Sequence, residues 1–439
     1  MKKQRLRLKA PDNWINDPNG FIYYKGYYHV FYQYFPYAPQ WGTMHWGHAV
    51  SKNLVDWEHK GIALFPSKRA DQNGCFSGSA VEKDGKLYLY YTGVRYEKIN
   101  PDNVHTCLNE QFESAQMLIS SEDGFTFDNC NGKEQIIPPI TDPEIGDRTH
   151  TRDPKVWEGS DGWYMVLGST IREKQGEVLI YKSTDLHQWI YQSKVTKDPG
   201  YGWMWECPDY FETKGGKVLL LSAMGLLKNG EREKNQAICF NAEFDEKTCD
   251  MQVEDSYHFL DYGMDLYAPQ TTVDEAGRRT MIAWVRMPEV TKDGWIGMFC
   301  SPRVVEVEDG HICFRIHPNV RKEYEIPIGE IQEVKEDGYL AELDLEEGDT
   351  LDLGGLKIEL RGNCLCTDRS SVYPNFEGAH LKSETPELKK GCHLEILVDE
   401  QLVEIFVNDG EYVISQAVYG LKKEITNNRN LPITLKIPK

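Results

Sequence analysis

The first 300 residues of this chain repeat one short pattern five times, and this repeat restricts the possible folds more than any other feature. In each copy a glycine turn is followed by a strand rich in aromatic and aliphatic residues. The copies begin at Gly26, Gly85, Gly162, Gly215 and Gly277. No helical periodicity competes with these runs. Because similar all-β units are typical of radial folds with four strands per blade, the pattern predicts a five-bladed β-propeller.

The composition changes near residues 300–325, which divides the chain into two units. All 11 tryptophans lie between Trp14 and Trp295, whereas the C-terminal part is rich in Glu, Leu and Val. That part contains short alternating runs and an Asn-Asp-Gly turn at 408–410. Alternation broken by such turns predicts strands and a hairpin. We therefore expect a second all-β unit after the propeller.

Charge and cysteine usage exclude several classes of protein. The 49 Lys and Arg against 69 Asp and Glu give a net charge of −20, which argues against a nucleic-acid partner. No apolar run is long enough to span a membrane, and the basic N-terminal segment lacks the apolar stretch of a signal peptide. The 11 cysteines are scattered and form no C-x-x-C pair. We therefore expect a cytoplasmic protein without a metal site or other cofactor.

A polar segment precedes the glycine turn in each copy, and three of these segments carry an acid at the same spacing. Asp17, Asp153 and Glu206 each lie nine residues before the glycine of their copy. The innermost strands of a propeller all run in one direction along the central channel. Equivalent positions on these strands therefore meet at one end of it. The spacing predicts that three carboxylates distant in sequence converge in space.

Three converging carboxylates favour acid–base chemistry. Packing like charges together raises the pKa of at least one of them, which is what catalysis near neutral pH requires. Glycoside hydrolases use such a pair, with the carboxyls about 5–5.5 Å apart when configuration is retained. Two other interpretations stay open. Asp before Pro is common in structural turns, and carboxylates also bind calcium, although no DxDxDG-type loop is present.

The residues around the acidic segments suit a sugar, because aromatic faces pack on the apolar faces of sugar rings. The flanking aromatic residues are Trp14, Trp41, Trp46, Phe76, Trp203, Trp205 and Tyr267. Four other tryptophans fit the propeller core, namely Trp57, Trp157, Trp163 and Trp189. We expect Asn16, Gln33 and Ser77 to recognise hydroxyl groups. Arg152 is expected to keep its neighbour Asp153 ionised.

At these residues the chain resembles glycoside hydrolase family 32, the β-fructofuranosidases, over essentially its whole length. WINDPNG (14–20), RDPKVW (152–157) and MWECPDYF (204–211) are similar to the main sequence blocks of that family. FYQYFP, WGHAVS, DQNGCFSGSA and DLYAPQT resemble its lesser blocks. The chain departs from the family at Phe35, where Asn is usual, and at Leu266, where Phe is usual. These departures leave the choice of leaving group open.

The resemblance implies a propeller followed by a C-terminal β-sandwich, here a catalytic domain over 1–305, a linker over 306–324 and the sandwich over 325–439. It implies that Asp17 is the nucleophile, Glu206 the general acid and base, and Asp153 a stabiliser of the transition state. The positions implied for the fructose pocket are Asn16, Gln33, Trp41, Phe76, Ser77, Arg152, Tyr267 and Trp284, and Trp14 is also expected to contact the sugar.

The sequence therefore predicts a retaining, exo-acting hydrolase that releases fructose from sucrose or sucrose 6-phosphate. Two alternatives remain open. One is a fructan hydrolase or fructosyltransferase on the same scaffold. The other is a non-catalytic carbohydrate-binding propeller, which would have no need to keep a costly pair of carboxylates.

Overall fold

The computed structural model describes residues 3–228, 231–232, 235–327 and 338–439, and within these ranges the protein is almost entirely β. The described helical elements are short: two 3-10 turns, Arg69–Asp71 and Pro199–Tyr201, and one α-helix, Pro318–Arg321. None of the helices in these ranges has the length and apolar character needed to cross a membrane.

The N-terminal part forms five sheets of four or more strands among the described residues, called sheets 1–5. Sheet 1 has the order Lys3–Arg5, Asp56–Leu64, His45–Ser51, Tyr27–Phe35, Asn13–Tyr24, Trp295–Ile296. Sheet 2 has the order Glu134–Ile137, Phe112–Ser121, Lys86–Tyr96, Cys75–Lys83. Sheet 3 has the order Arg152–Gly159, Gly162–Ile171, Gln175–Ser183, Ile190–Thr196.

Sheets 4 and 5 each carry one additional short strand. Sheet 4 has the order Met204–Glu212, Lys217–Met224, Gln236–Asp245, Asp250–Val253, with His258–Phe259 on the third strand. Sheet 5 has the order Leu266–Val273, Arg279–Val285, Arg303–Glu308, His311–Ile316, with Met298–Phe299 on the second strand. Two small ribbons complete this part: Ile99–Asn100 with Asn103–Cys107, and Leu227–Lys228 with Glu231–Arg232.

The aromatic runs that follow the glycine turns are strands in all five sheets, as the repeat predicts. In each sheet the run pairs antiparallel with the strand that carries the polar segment. The polar-segment strands, called the inner strands, are Asn13–Tyr24, Cys75–Lys83, Arg152–Gly159, Met204–Glu212 and Leu266–Val273.

Hydrogen bonds join the inner strands to one another around a common axis. The Gly78 N–H donates to Asn19 Oδ1 at 3.2 Å, and the Val156 N–H donates to Ser79 Oγ at 3.1 Å. The Thr271 N–H donates to Asp209 Oδ2 at 2.7 Å. Gln270 closes the ring, since its Oε1 accepts from the Phe21 N–H at 2.8 Å. This radial arrangement is that of a β-propeller.

The segment 306–324, expected as a linker, largely belongs to sheet 5. Arg303–Glu308 and His311–Ile316 form a hairpin that pairs with Arg279–Val285. The cause is burial, since Val305, Val307, Ile312 and Phe314 join the core of the propeller. The connection to the C-terminal part therefore begins only after residue 316.

Two further sheets form the C-terminal part. Sheet 6 has the order Tyr324–Pro327, Thr434–Pro438, Gly338–Leu345, Cys392–Asp399, Leu402–Val407, Tyr412–Ala417. Sheet 7 has the order Lys382–Glu384, Cys364–Asp368, Leu356–Arg361, Thr350–Leu353, Ile425–Asn427. Leucine, isoleucine and valine side chains from both sheets form one core, as in a β-sandwich. The predicted hairpin at 408–410 joins Leu402–Val407 to Tyr412–Ala417.

Buried arginines tie the two parts together. Arg7 forms ion pairs with Asp399 and, at 2.6 Å, with Glu404 of sheet 6. Arg303 pairs with the same Glu404 at 2.8 Å. Arg369, in the turn after Cys364–Asp368, pairs with Asp265 at the start of the inner strand of sheet 5. All three arginine side chains are at most 1% exposed, so these links are parts of a continuous interior.

Candidate active site

A cavity of about 420 Å³ opens at one end of the propeller channel, and the predicted carboxylates line it together. The predicted residues on its wall are Asn16, Asp17, Gln33, Trp41, Phe76, Ser77, Arg152, Asp153, Trp203, Glu206, Tyr267 and Trp284. Trp14 does not line the cavity. Its indole N–H donates to Asn16 Oδ1 at 2.8 Å, so it orients a residue of the wall.

A β-bulge at the same level of all five inner strands shapes the floor of the cavity. In each strand three residues span the distance that two residues span on the partner strand. The bulges lie at Ile15–Pro18, Cys75–Gly78, Arg152–Lys155, Glu206–Asp209 and Tyr267–Gln270. A bulge re-aims side chains and is common beside active sites. Here it turns residues of every inner strand toward the channel mouth.

The three carboxylates converge but do not share one register. Glu206 is the residue before its bulge, Asp153 is the first residue within its bulge, and Asp17 is the second. The common spacing of nine residues to a glycine is therefore not structural equivalence. The hairpin after Tyr24 has a two-residue turn and the one after Glu212 a four-residue turn, so the glycines themselves are not equivalent.

The backbone at three of these bulges lies in the left-handed region. Asp153 has φ +65°, Cys207 has φ +47° and Ala268 has φ +49°, and each is followed by proline. Such conformations cost about 1–3 kcal/mol for residues other than glycine and persist where the surroundings fix them. The strain is concentrated at the level of the carboxylates.

Neutral donors surround Asp17. Ser77 Oγ donates to Asp17 Oδ2 at 2.6 Å, and Asn16 Nδ2 donates to Oδ1 at 3.1 Å. Burial raises the pKa of Asp17, the charge of Glu206 raises it further, and these hydrogen bonds act in the opposite direction. The carboxylate is thus held in position by hydrogen bonds without a cationic partner among them.

Asp153 is the more deeply buried acid, with 6% exposure. Burial raises its pKa from 3.8 to about 7, the neighbouring charges of Glu206 and Asp17 contribute, and Arg152 opposes them. The Cys207 N–H donates to Asp153 Oδ2 at 2.9 Å. Near neutral pH the group is therefore divided between its protonated and ionised forms.

Arg152 serves Glu206 rather than Asp153. Its Nη2 and Nε donate to Glu206 Oε1 at 2.8 and 3.2 Å, whereas its Nε lies 4.0 Å from Asp153 Oδ2. The expectation that Arg152 is chiefly the partner of Asp153 is corrected here, because the bulge turns these adjacent side chains apart. Tyr267 OH donates to the other oxygen, Glu206 Oε2, at 2.6 Å. Both oxygens of Glu206 are thus fixed.

Two of the aromatic residues expected to flank the sugar are core residues instead. Trp46 and Trp205 are fully buried, and their indole N–H groups donate to the carbonyls of Phe76 and Tyr201. Trp41, by contrast, is 38% exposed and meets Phe76 edge-on at 5.8 Å.

Sequence reasoning missed part of the wall. The additional lining residues are Val94, Tyr96, Thr106, Cys107, Glu110, Phe112, His150, Met224 and Asn235. His150 stands two residues before Arg152, and this closeness in the sequence is a signal by which it could have been found. In the structure its Nδ1 lies 3.4 Å from Arg152 Nη1. Val94, Tyr96 and Met224 lie near the C-terminal ends of Lys86–Tyr96 and Lys217–Met224, two strands of the repeat. The others come from loops or from strands outside the repeat. In the described ranges, no three His, Cys, Asp or Glu side chains are arranged as a metal site.

Comparison with known proteins gives matches to one family over most of the chain. The model for the glycosyl hydrolases family 32 N-terminal domain matches residues 8–318, and that for the family 32 C terminal matches residues 359–430. A raffinose invertase of Escherichia coli is 34% identical, with 94% of this chain and 89% of the relative covered. A sucrose-6-phosphate hydrolase of Bacillus subtilis is 32% identical, with 94% and 88% covered.

A solved structure has the same fold over nearly the whole chain. It is a variant of a Bombyx mori GH32 beta-fructofuranosidase in complex with sucrose, with a TM-score of 0.84 and 29% identity. The match covers 99% of this chain and 93% of that one. The chain belongs to family 32 of the glycosyl hydrolases.

Proposed function

We propose that this protein is a retaining, exo-acting β-fructofuranosidase that releases fructose from sucrose or sucrose 6-phosphate. The observation that carries the proposal is one cavity with two differently held carboxyls. Neutral hydroxyl and amide donors hold Asp17, whereas Arg152 and Tyr267 hold both oxygens of Glu206. Environments that distinguish paired carboxyls assign them different roles in acid–base catalysis.

Asp17 acts as the nucleophile. Its carboxylate attacks the anomeric carbon of the fructosyl unit, the glycosidic bond breaks, and a covalent fructosyl ester forms. The hydrogen bonds from Ser77 and Asn16 stabilise the ionised form and aim it, so less reorganisation is needed when the bond forms. Water then cleaves the ester and regenerates the carboxylate.

Glu206 acts first as acid and then as base. It gives its proton to the departing glycosidic oxygen and later takes one from the attacking water. Arg152 and Tyr267 fix the carboxyl for both steps. Burial raises the pKa of Tyr267 well above 10, and the charge of Glu206 adds to this, so the phenol remains a donor throughout.

Asp153 binds fructose hydroxyls and stabilises the positive charge that develops on the sugar ring. Asn16, Gln33, Trp41, Phe76, Ser77, Arg152, Tyr267 and Trp284 form the sugar pocket around it. The Cys207 backbone N–H donates a hydrogen bond to Asp153 and helps to hold its carboxyl group in place. No cofactor or metal takes part in these steps.

The experiment compares three substrates and one rescue. We expect sucrose, sucrose 6-phosphate and a short inulin to differ in kcat/KM, with one of the two sucrose forms preferred. Preference for inulin would favour the fructan hydrolase. Binding of fructose without hydrolysis of any of the three substrates would favour a carbohydrate-binding module. With 4-nitrophenyl β-D-fructofuranoside, whose leaving group needs no proton, azide should restore turnover of Glu206→Ala and yield a fructosyl azide of retained configuration. Inverted product would contradict the covalent mechanism.

The same proposal includes the finer architecture. Each of sheets 1–5 is one blade, which makes the propeller five-bladed, and the catalytic domain precedes the C-terminal sandwich. The cysteines, all unpaired as thiols, suit a reducing compartment, and we assign the enzyme to the cytoplasm.

A further inference from the structure

One buried arginine of the C-terminal part reaches the segment that carries Tyr267. Arg369 is fully buried, and its Nη1 and Nη2 donate to the two oxygens of Asp265, the second at 2.9 Å. Such a two-point contact fixes the orientation of a carboxylate as well as its position. The Ala417 N–H donates to Asp265 Oδ2 at 2.9 Å and completes the clamp.

The guanidinium of Arg369 is itself fixed from within the sandwich. Its Nε donates to the His380 carbonyl at 2.8 Å, and its Nη1 also donates to the Ala417 carbonyl at 3.0 Å. Its plane lies over the Tyr373 ring, 3.6 Å from the centroid. The clamp on Asp265 is therefore a rigid feature built entirely from the C-terminal part.

The clamped segment is strained and short. Met264 has φ +63° and Ala268 has φ +49°, so residues in the left-handed region stand on both sides of 265–267. Backbone of this kind stays in place only where the surroundings over-determine it. Beyond the clamp, Arg286 contributes from the propeller side: its N–H donates to the Asp265 carbonyl at 2.9 Å and its guanidinium lies over the Tyr267 ring.

We propose that Arg369 is a positioning residue for Glu206, acting from the sandwich through Asp265 and the Tyr267 hydroxyl. Only Leu266 stands between the clamped Asp265 and Tyr267 in the sequence, and the Tyr267 hydroxyl donates to Glu206 Oε2 at 2.6 Å. The sandwich thereby has a part in catalysis as well as in stability. This inference rests on the acid role of Glu206 in the proposed function.

The test uses the dependence on the leaving group in the full-length enzyme. A nitrophenolate departs without a proton, whereas the glucosyl oxygen of sucrose needs one, and kcat/KM reports steps up to that departure. Arg369→Lys keeps the charge but loses the two-point contact. We expect kcat/KM for sucrose to fall about tenfold, because small misplacements of catalytic groups are costly. For 4-nitrophenyl β-D-fructofuranoside we expect a fall of less than about twofold, since the acid is not needed there.

Controls separate this inference from a loss of stability. Asp265→Asn preserves volume and should give the same change in the ratio of the two kcat/KM values. Arg7→Lys alters another buried arginine between the two parts, whose ion pairs are with Asp399 and Glu404 rather than with Asp265. It should lower the melting temperature and leave the ratio unchanged.

Two results would overturn the inference, and they are distinguishable. If Glu206→Gln changes the ratio but folded Arg369→Lys and Asp265→Asn do not, the positioning role is wrong and the acid role stands. If Glu206→Gln itself leaves the ratio unchanged, the proposed acid role fails and the inference fails with it.

Discussion

Two successive levels of the inner strands differ in the balance of their charged side chains. At the level of the bulges, Asp17, Asp153 and Glu206 face one cavity with Arg152 as the cation among them. At the next level, Lys155 Nζ lies 3.0 Å from Asp209 Oδ2, so the charges balance.

Hydrogen bonds at the lower level also link neighbouring strands, as the Lys155 ammonium donates to the Thr271 carbonyl and Gln270 Nε2 donates to the Gly78 carbonyl. The lower level therefore holds the strands together, while the upper level keeps an excess of negative charge. The comparison shows that the clustered carboxylates are a local property of the site and not of the propeller axis.

The largest expected effect comes from removing the nucleophile at the upper level. We expect Asp17→Asn to lower kcat on sucrose about 10⁴-fold or more, as losses of catalytic nucleophiles do. Stability should not fall, because the change removes one of three like charges. Single-turnover assays and thermal melting of the same preparation measure both. Release of fructose at a rate close to that of the wild type would refute the assignment.

The matching change at the lower level should affect stability instead. Lys155→Met leaves Asp209 buried without its cation, and breaking a buried pair costs about 3–5 kcal/mol. The double variant Lys155→Met/Asp209→Asn removes both charges and should recover most of that loss. Urea unfolding at constant pH measures both variants. Equal free energies of unfolding for the single and double variants would show that the pair is not what stabilises this level.

The fold was largely predictable from the sequence because the repeat reflects burial on both faces of the second strands. Most of the predicted site residues line one cavity, but the sequence did not give their register. Asn13–Tyr24 carries a second irregularity between Asn19 and Ile22 that other inner strands lack. With the unequal hairpin turns, it shifts the glycines relative to the bulges, so equal spacing to a glycine concealed three different positions.

The partners of the carboxylates depend on geometry that no spacing encodes. Arg152 and Asp153 are adjacent, yet the left-handed backbone at Asp153 directs them to different partners. Glu110 and Asn235 reach the cavity from loops, where sequence has no periodicity to read. Trp205 stands directly before Glu206 in the sequence, yet its side chain is fully buried in the core, because position along a bulged strand does not determine which way a side chain faces. Trp46, on His45–Ser51, is also fully buried.

The stability of the protein should depend on pH through Asp153, at the level of the bulges. The pKa of Asp153 is about 7 in the folded protein and 3.8 ordinarily, so ionisation of this group disfavours folding. Its stabilising contribution is complete below pH 3.8 and is lost as pH rises through 7. At 1.36 kcal/mol per pKa unit, the whole window corresponds to about 4 kcal/mol.

Asp153→Asn removes this dependence. The free energy of unfolding of the variant minus that of the wild type should therefore be larger at pH 8 than at pH 4. Urea unfolding of both proteins at several pH values gives the difference, from which the contributions of most other carboxylates cancel. A difference that is flat between pH 4 and 8 would show that Asp153 keeps an ordinary pKa.

The smallest effect concerns the solvent side of the cavity, above the carboxylates. Trp41 lines the mouth and stands against Phe76, where its face is free to pack on a sugar ring. An aromatic contact of this kind contributes about 1 kcal/mol. Trp41→Ala should therefore raise KM for sucrose about fivefold and leave kcat nearly unchanged, because the contact is equally strong in the ground and transition states.

Tyr37→Ala is the matched control, since Tyr37 is a nearby aromatic, 67% exposed, that does not line the cavity. If Trp41→Ala lowered kcat as strongly as it raised KM, the mouth of the cavity would take part in the reaction itself. The part of the channel that acts in catalysis would then extend from the level of the bulges to the rim.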